Sequence, residues 1–227
     1  MIRGDVTSKS IALVFTGDES ADGAESILQT LKKHQAKASF FLTGRFYSNQ
    51  DFKQSIQQLK REGYYLGAHS DAHLLYCDWT KRDSLLVTKQ QFSEDLQQNY
   101  NRMAKFGIRK KDAPYFLPPY EWYNHQITNW TTEEGLQLVN FTPGTRSAAD
   151  YTYPEMGTRY VGSETILQSI FEYEHKDPNG LNGFLLLLHI GTDPRREDKF
   201  YYKLDELLTQ LKVKGYRFVT VSEQLSE

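Results

Sequence analysis

An α/β fold in which parallel strands are joined by crossover helices is what this sequence predicts, and three observations carry that expectation. Short β-rich apolar runs alternate with amphipathic helical stretches almost from end to end. The helical stretches open on capping residues and stop at glycines. One run, NGFLLLLHIG at residues 182–191, is apolar without alternation, as in a strand buried on both faces. At 227 residues the chain can bury a sizeable core, and a single domain over 1–227 is expected.

The elements follow in order. SIALVF reads as the first strand. Asp22 is expected to cap a helix through GAESILQTLKKH, where Ile27, Leu28 and Leu31 share a face and Lys32, Lys33 and His34 sit at the negative C-terminal end. KASFFLTG is the second strand, closed by Gly44, and DFKQSIQQLKREG is a helix with Asp51 as cap and Gly63 as stop. YYLGAHS is the third strand. Thr88 and Gln91 form a capping box for a long helix that runs to Lys105 and stops at Gly107. PYFLPPY and LQLVNFT predict further strands, and SETILQSIFEYE predicts a helix ahead of NGFLLLLHIG. The end, FYYKLDELLTQLKVKGYRFVTVSEQL, predicts a helix, a stop at Gly215 and a final strand. Residues 142–162 are rich in Gly, Pro and Tyr; so long an irregular segment in a compact domain is expected to serve function.

Charge and composition exclude several classes. Lys and Arg number 27 against 29 Asp and Glu, so a net charge of -2 gives no long-range attraction for nucleic acid or an anionic membrane. Neither a nucleic-acid partner nor a membrane span is expected. The opening MIRGDVTSKS is polar, and the apolar run at 11–15 is too short for a signal-peptide core. With Cys77 alone, no intramolecular disulfide forms and the compartment stays open: periplasmic or extracellular if a leader has been removed, cytoplasmic otherwise. No pattern speaks to oligomeric state. An aromatic share of 14% leaves rings for the surface, where flat faces suit sugars.

In an α/β barrel the loops after the strand C-termini share one face. That rule gathers TGDES, HSDAH, LPPYEWY and HIGTDP. His69 and His73, at i and i+4, would sit on one side of a helical turn within reach of one metal ion, or serve as surface or capping histidines. Asp18 and Glu19 are placed to supply a third, carboxylate ligand, or to favour the N-terminal dipole of the next helix. His189 ends the most apolar strand, where it is a general acid or a satisfied core histidine. Tyr120, Trp122 and Tyr123 are a sugar platform or rings buried in the barrel rim.

On these residues the sequence resembles the polysaccharide deacetylases, carbohydrate esterase family four. IALVFTGDES and KASFFLTG are similar to the family's opening, in which TFDDG precedes KATFFVTG. GAHSDAH is similar to its H-[ST]-x-x-H metal motif, FLPPY to its R-P-P-Y loop, LLLLH to its L-x-H motif, and LKVKGYRFVTVSEQL to its closing helix and strand. The resemblance spans nearly the whole chain. It implies a distorted (β/α) barrel of about seven parallel strands, one divalent metal with zinc the first choice, and a carbohydrate substrate. It also implies His69 and His73 as metal ligands and His189 as catalytic acid. Asp150, in SAADYTY, resembles the family's aspartate-aromatic pair, which implies a carboxylate on the second ring nitrogen of His189.

The departures are specific. Where the family has its base and metal-binding aspartates, this chain has Thr16 and Gly17; where it has the arginine that orients the base and a later glycine, this chain has Leu117 and Glu121. Base and arginine are absent together, which agrees with the cost of about several kcal/mol for a buried unpaired charge. Asp18 is favoured as ligand, because a short carboxylate after a tight Thr-Gly turn reaches a metal at the strand mouth, with Glu19 as candidate base; the reverse assignment stays open. The expected function is a metal-dependent hydrolase that removes N- or O-linked acetyl groups from a polysaccharide or oligosaccharide, with a backbone N–H near Tyr120 helping to hold the oxyanion. The rivals are a catalytically impaired, metal-containing carbohydrate-binding module and an amidase acting on a small noncarbohydrate substrate.

Overall fold

The computed structural model describes residues 1–226. In chain order the elements are β1 (Ser10–Gly17), α1 (Ala24–Lys33), β2 (Ser39–Leu42), α2 (Gly44–Ser48), α3 (Lys53–Arg61), β3 (Tyr65–Ala68) and α4 (Lys89–Ala104). There follow β4 (Tyr115–Phe116), α5 (His125–Glu133), β5 (Gln137–Leu138), α6 (Ser163–Lys176), β6 (Phe184–His189), α7 (Leu204–Val213), β7 (Arg217–Val219) and α8 (Val221–Leu225).

The chain forms two compact units. One comprises Met1 and Phe40–Asn140, where β2, β3, β4 and β5 lie side by side in that order. Ala68 is level with Phe116, and Tyr115 and Phe116 with Gln137 and Leu138, all in parallel pairing. The other comprises Ile2–Ser39 and the chain from Phe141 onward, and is built on β1. All eight β1 residues are buried, and the strand is flanked in parallel by β6 and β7. Burial on both faces is why β1 and β6 read as continuous apolar runs.

Local chemistry explains most element ends. The expected capping box holds α4: Thr88 Oγ1 accepts the Gln91 N–H while the Gln91 side chain accepts the Thr88 N–H. A second box, Thr220 with Glu223, turns the last residues into α8 where only a strand was expected. Asp22 does not cap α1; the residue ahead of that helix is Gly23, which has no side-chain cap. Nor does Asp51 cap α3, since Asn49 accepts the Asp51 N–H at 3.0 Å and an intervening turn carries the chain to Lys53. Gly44 begins α2 rather than ending β2, and an added Cβ there would lie 1.7 Å from Asp71 Oδ1, so only glycine fits. Helix α5 also went unread, its start fixed by Asn124 accepting the Ile127 N–H at 3.0 Å. Among the described residues, no helix is long and apolar enough to cross a membrane. Cys77 is buried.

Candidate active site

His69 and His73 follow β3, but not on a helical turn. Ser70 and His73 take φ values of 70° and 53°, so the chain doubles back in the left-handed region instead of winding. The two rings still meet, with centroids 5.1 Å apart. One face of α4 holds this loop. Asn99 accepts the His69 N–H at 2.9 Å, and Asp95 accepts the N–H groups of Asp71 and Ala72 at 3.1 and 2.9 Å. Arg102 pairs with Asp71 at 2.7 Å. Positions 95, 99 and 102 recur at helical spacing, a polar stripe that reasoning about apolar faces passes over.

His69 Nδ1 lies 2.7 Å from the Leu117 carbonyl oxygen, which can only accept, so Nδ1 carries the proton, and in the neutral ring the lone pair is on Nε2. Such a bond is how metal-bound histidines are oriented. By their chemistry two neutral imidazoles suit a divalent cation such as zinc. Among the described residues no group of three or more His, Cys, Asp or Glu side chains is arranged to hold a metal. Leu117 itself is buried, an apolar residue in a place where the implied family carries a charge.

Tyr120 continues the cluster, its ring centroid 4.4 Å from that of His73. Tyr120 and Glu121 both have positive φ, 58° and 53°, strain of a kind that gathers at functional sites. Glu121 stands where the implied family has glycine, and Asn140 Nδ2 donates to its carbonyl at 2.8 Å. Trp79, missed in the sequence, links Tyr120 and Trp122 at 5.5 and 5.7 Å. Tyr123 lies instead beside Arg82. A cleft of about 810 Å³ also opens in this unit, but Lys60, Arg61, Arg102 and Lys105 line it at the C-terminal ends of α3 and α4, where cations offset the helix dipoles.

In the second unit His189 closes β6 level with Thr16 of β1. Asp150 grips it twice: Oδ1 is 2.5 Å from Nδ1 and Oδ2 accepts the His189 N–H at 2.9 Å. The expected contact is therefore present, with the Tyr151 ring 5.3 Å away. Asp150 is buried, and its carboxylate can only accept, so the Nδ1 of His189 carries the proton of that bond. Thr16 and Gly17 are not a turn, since β1 runs through both. Thr16 Oγ1 is buried with no hydrogen-bond partner among the described residues.

The loop after β1 begins at Asp18, half-buried, followed by an exposed Glu19. Its far end is anchored by Asp22, which accepts the Thr192 N–H at 2.8 Å and the Tyr201 hydroxyl at 3.0 Å and pairs with Lys199 at 2.8 Å. Arg196 anchors the segment that carries Asp150. Fully buried, it donates to the carbonyls of Thr152 and Val161 and, at 2.9 Å, to Ser163 Oγ.

Comparison with known proteins places the chain. YlxY of Bacillus subtilis strain 168, an uncharacterized protein, is 28% identical over 227 residues, 99% of this chain, which spans 60% of that protein's length. The peptidoglycan N-acetylglucosamine deacetylase Bc1960 has a structure similar at a TM-score of 0.77 and 22% identity, covering 99% of this chain and 91% of its own. BA3943 of Bacillus anthracis, described as a carbohydrate esterase family four pseudoenzyme, gives 0.75 and 18%, covering 100% of this chain and 69% of its own. The expected (β/α) barrel fold of parallel strands is borne out by these likenesses. The sequence profile of the polysaccharide deacetylases matches residues 3–139, more than half of the chain, and this protein belongs to the polysaccharide deacetylase family.

Proposed function

We propose that this protein is a hydrolase that removes acetyl groups from a carbohydrate polymer and that a divalent cation, zinc first, is its cofactor. The observation that carries the reading is the double contact of Asp150 with His189 at the end of β6. Asp150 accepts the Nδ1 proton and holds the ring in one orientation, and the imidazolium's other proton, on Nε2, would be the one delivered to the departing amine or alkoxide. His69 and His73 would hold the cation, with Asp18 completing the set and Glu19 taking the proton from the attacking water. A cation bound there supplies Lewis acidity toward the acetyl carbonyl and that water. Tyr120, Trp122 and Tyr123 would bind the sugar, and a backbone N–H near Tyr120 would help hold the oxyanion.

The direct test is acetate release from acetylated xylan and from chitooligosaccharides, before and after metal removal by a chelator. Release lost on chelation and regained with zinc supports the reading; release that survives complete metal removal refutes it.

A second reading has its own observation. Thr16, whose buried Oγ1 has no hydrogen-bond partner among the described residues and which stands where the family has its base, fits a chain that binds glycans without turning them over. Glu19→Gln and His189→Ala separate the two: both abolish acetate release from an active enzyme, whereas a wild type that binds glycans and releases no acetate from any substrate is the binding module.

A further inference from the structure

We propose that Trp79 and Arg82, with Trp122, form a subsite for a carboxylate-bearing sugar of the glycan, an inference that rests on the carbohydrate reading above. Ring contacts run without a break from His73 through Tyr120, Trp79 and Trp122, and Arg82 ends the row, its guanidinium carbon 4.2 Å from the Trp122 ring centre and 5.4 Å from that of Tyr123. Trp79 is 55% and Tyr120 44% exposed. Two large rings left in water side by side, next to the histidine pair, form a patch suited to the apolar face of a sugar.

Arg82 is held in place before any ligand arrives. Its Nε donates to the Tyr123 carbonyl at 2.6 Å, and its own carbonyl accepts from Asn124 Nδ2 at 3.1 Å. Asn124 is fixed in turn as the cap of α5. The carboxylate of Asp78 is committed to its own turn, accepting the N–H groups of Thr80 and Lys81 at 2.8 and 2.7 Å, and these bonds hold its pKa below the ordinary value. Among the described residues Arg82 has no carboxylate partner. A guanidinium held over an aromatic face, with only Nε hydrogen-bonded among the described residues, keeps its terminal N–H groups for a carboxylate. The ordering cost of binding is thereby met in advance. The rings accept any sugar; the arginine selects an acidic one. The carboxylate belongs either to a uronic acid ring or to an ether-linked acid on an amino sugar, and both are tested.

Tryptophan fluorescence of the full chain is titrated with four oligosaccharides of equal length: a neutral one, a uronate-containing one, one bearing an ether-linked carboxylate, and the methyl ester of whichever acid binds tighter. One of the two acids should bind about tenfold tighter than the neutral sugar at low salt, with the preference shrinking as salt rises. Esterification, which leaves the protein untouched, should remove the preference, as should Arg82→Met, while Arg82→Lys restores part of it. Trp79→Ala should weaken acidic and neutral sugars alike. Equal affinity for acid, neutral sugar and ester, a preference that survives Arg82→Met, or no binding of any of them overturns the proposal. Binding is read without turnover: acidic preference with no acetate release keeps the subsite and defeats the deacetylase, and release without preference does the reverse.

Discussion

Asn99 accepts the backbone N–H of His69 at 2.9 Å and donates from its amide to the carbonyl of Leu42 at 3.2 Å. One buried side chain on α4 thus fixes the first residue of the histidine loop and the end of β2. Asn99→Leu leaves a donor and an acceptor buried and unmatched, at a cost of about 2 kcal/mol or more. Urea denaturation should show this as a lower midpoint, and zinc titration should show weaker binding because the backbone that carries the His69 ring is no longer fixed. A variant of wild-type stability would mean that the bond is not holding the loop.

Asp150→Asn removes the carboxylate that accepts from the His189 ring and backbone and fixes the ring's orientation. Acetate release should fall by about 10²–10⁴-fold, with KM changed far less than kcat. His189→Ala should fall at least as far, and the double variant no further, because the two side chains act as one unit. Additive losses would separate them.

Thr16→Asp would put a carboxylate into a buried strand position level with His189. If Glu19 is the base, the substitution lowers stability by about 2 kcal/mol and does not raise turnover. Thermal melts and acetate release measure both. A gain in turnover would show that position 16 is where this fold needs its acid, and would favour the impaired reading.

The Asp198 carboxyl accepts the Ser163 N–H at 2.5 Å and lies 3.8 Å from the Arg196 guanidinium. Burial alone would raise its pKa, but donation from Ser163 and the Arg196 charge outweigh burial and hold it below the ordinary value. A depressed carboxyl contributes stability that is present above its unfolded pKa, about 4, and is lost as pH falls through the folded value. The gap in Tm between wild type and Asp198→Asn should therefore be steady from neutral pH down to about 5 and close below about 4. A gap that widens in acid would give the opposite sign.

Local rules made much of the fold legible. The apolar runs marked β1 and β6, and Thr88 with Gln91 marked the start of α4, because strand burial and capping act over a few residues. The pairing of Asp150 with His189 came through family resemblance, not through spacing. What escaped were bonds between residues remote in sequence: Asn99 to His69 is 30 positions, and Asp22 to Thr192 is 170. Asp22 looked like a helix cap because nothing nearby in the chain reveals Thr192, Lys199 and Tyr201. The positive φ values at Ser70, His73 and Tyr120 escaped for a similar reason: none is glycine, and the strain is held by tertiary bonds.

The burial of Arg196 bears on how this protein can vary over evolutionary time. Its guanidinium ties Thr152 to Val161, so the span between them behaves as a closed hoop whose ends are fixed. A Cβ added at Gly157, near its middle, would meet nothing within 4 Å. Insertions should be tolerated at that tip, while a single added residue between Asp150 and Thr152 would throw the carboxylate out of register with its histidine.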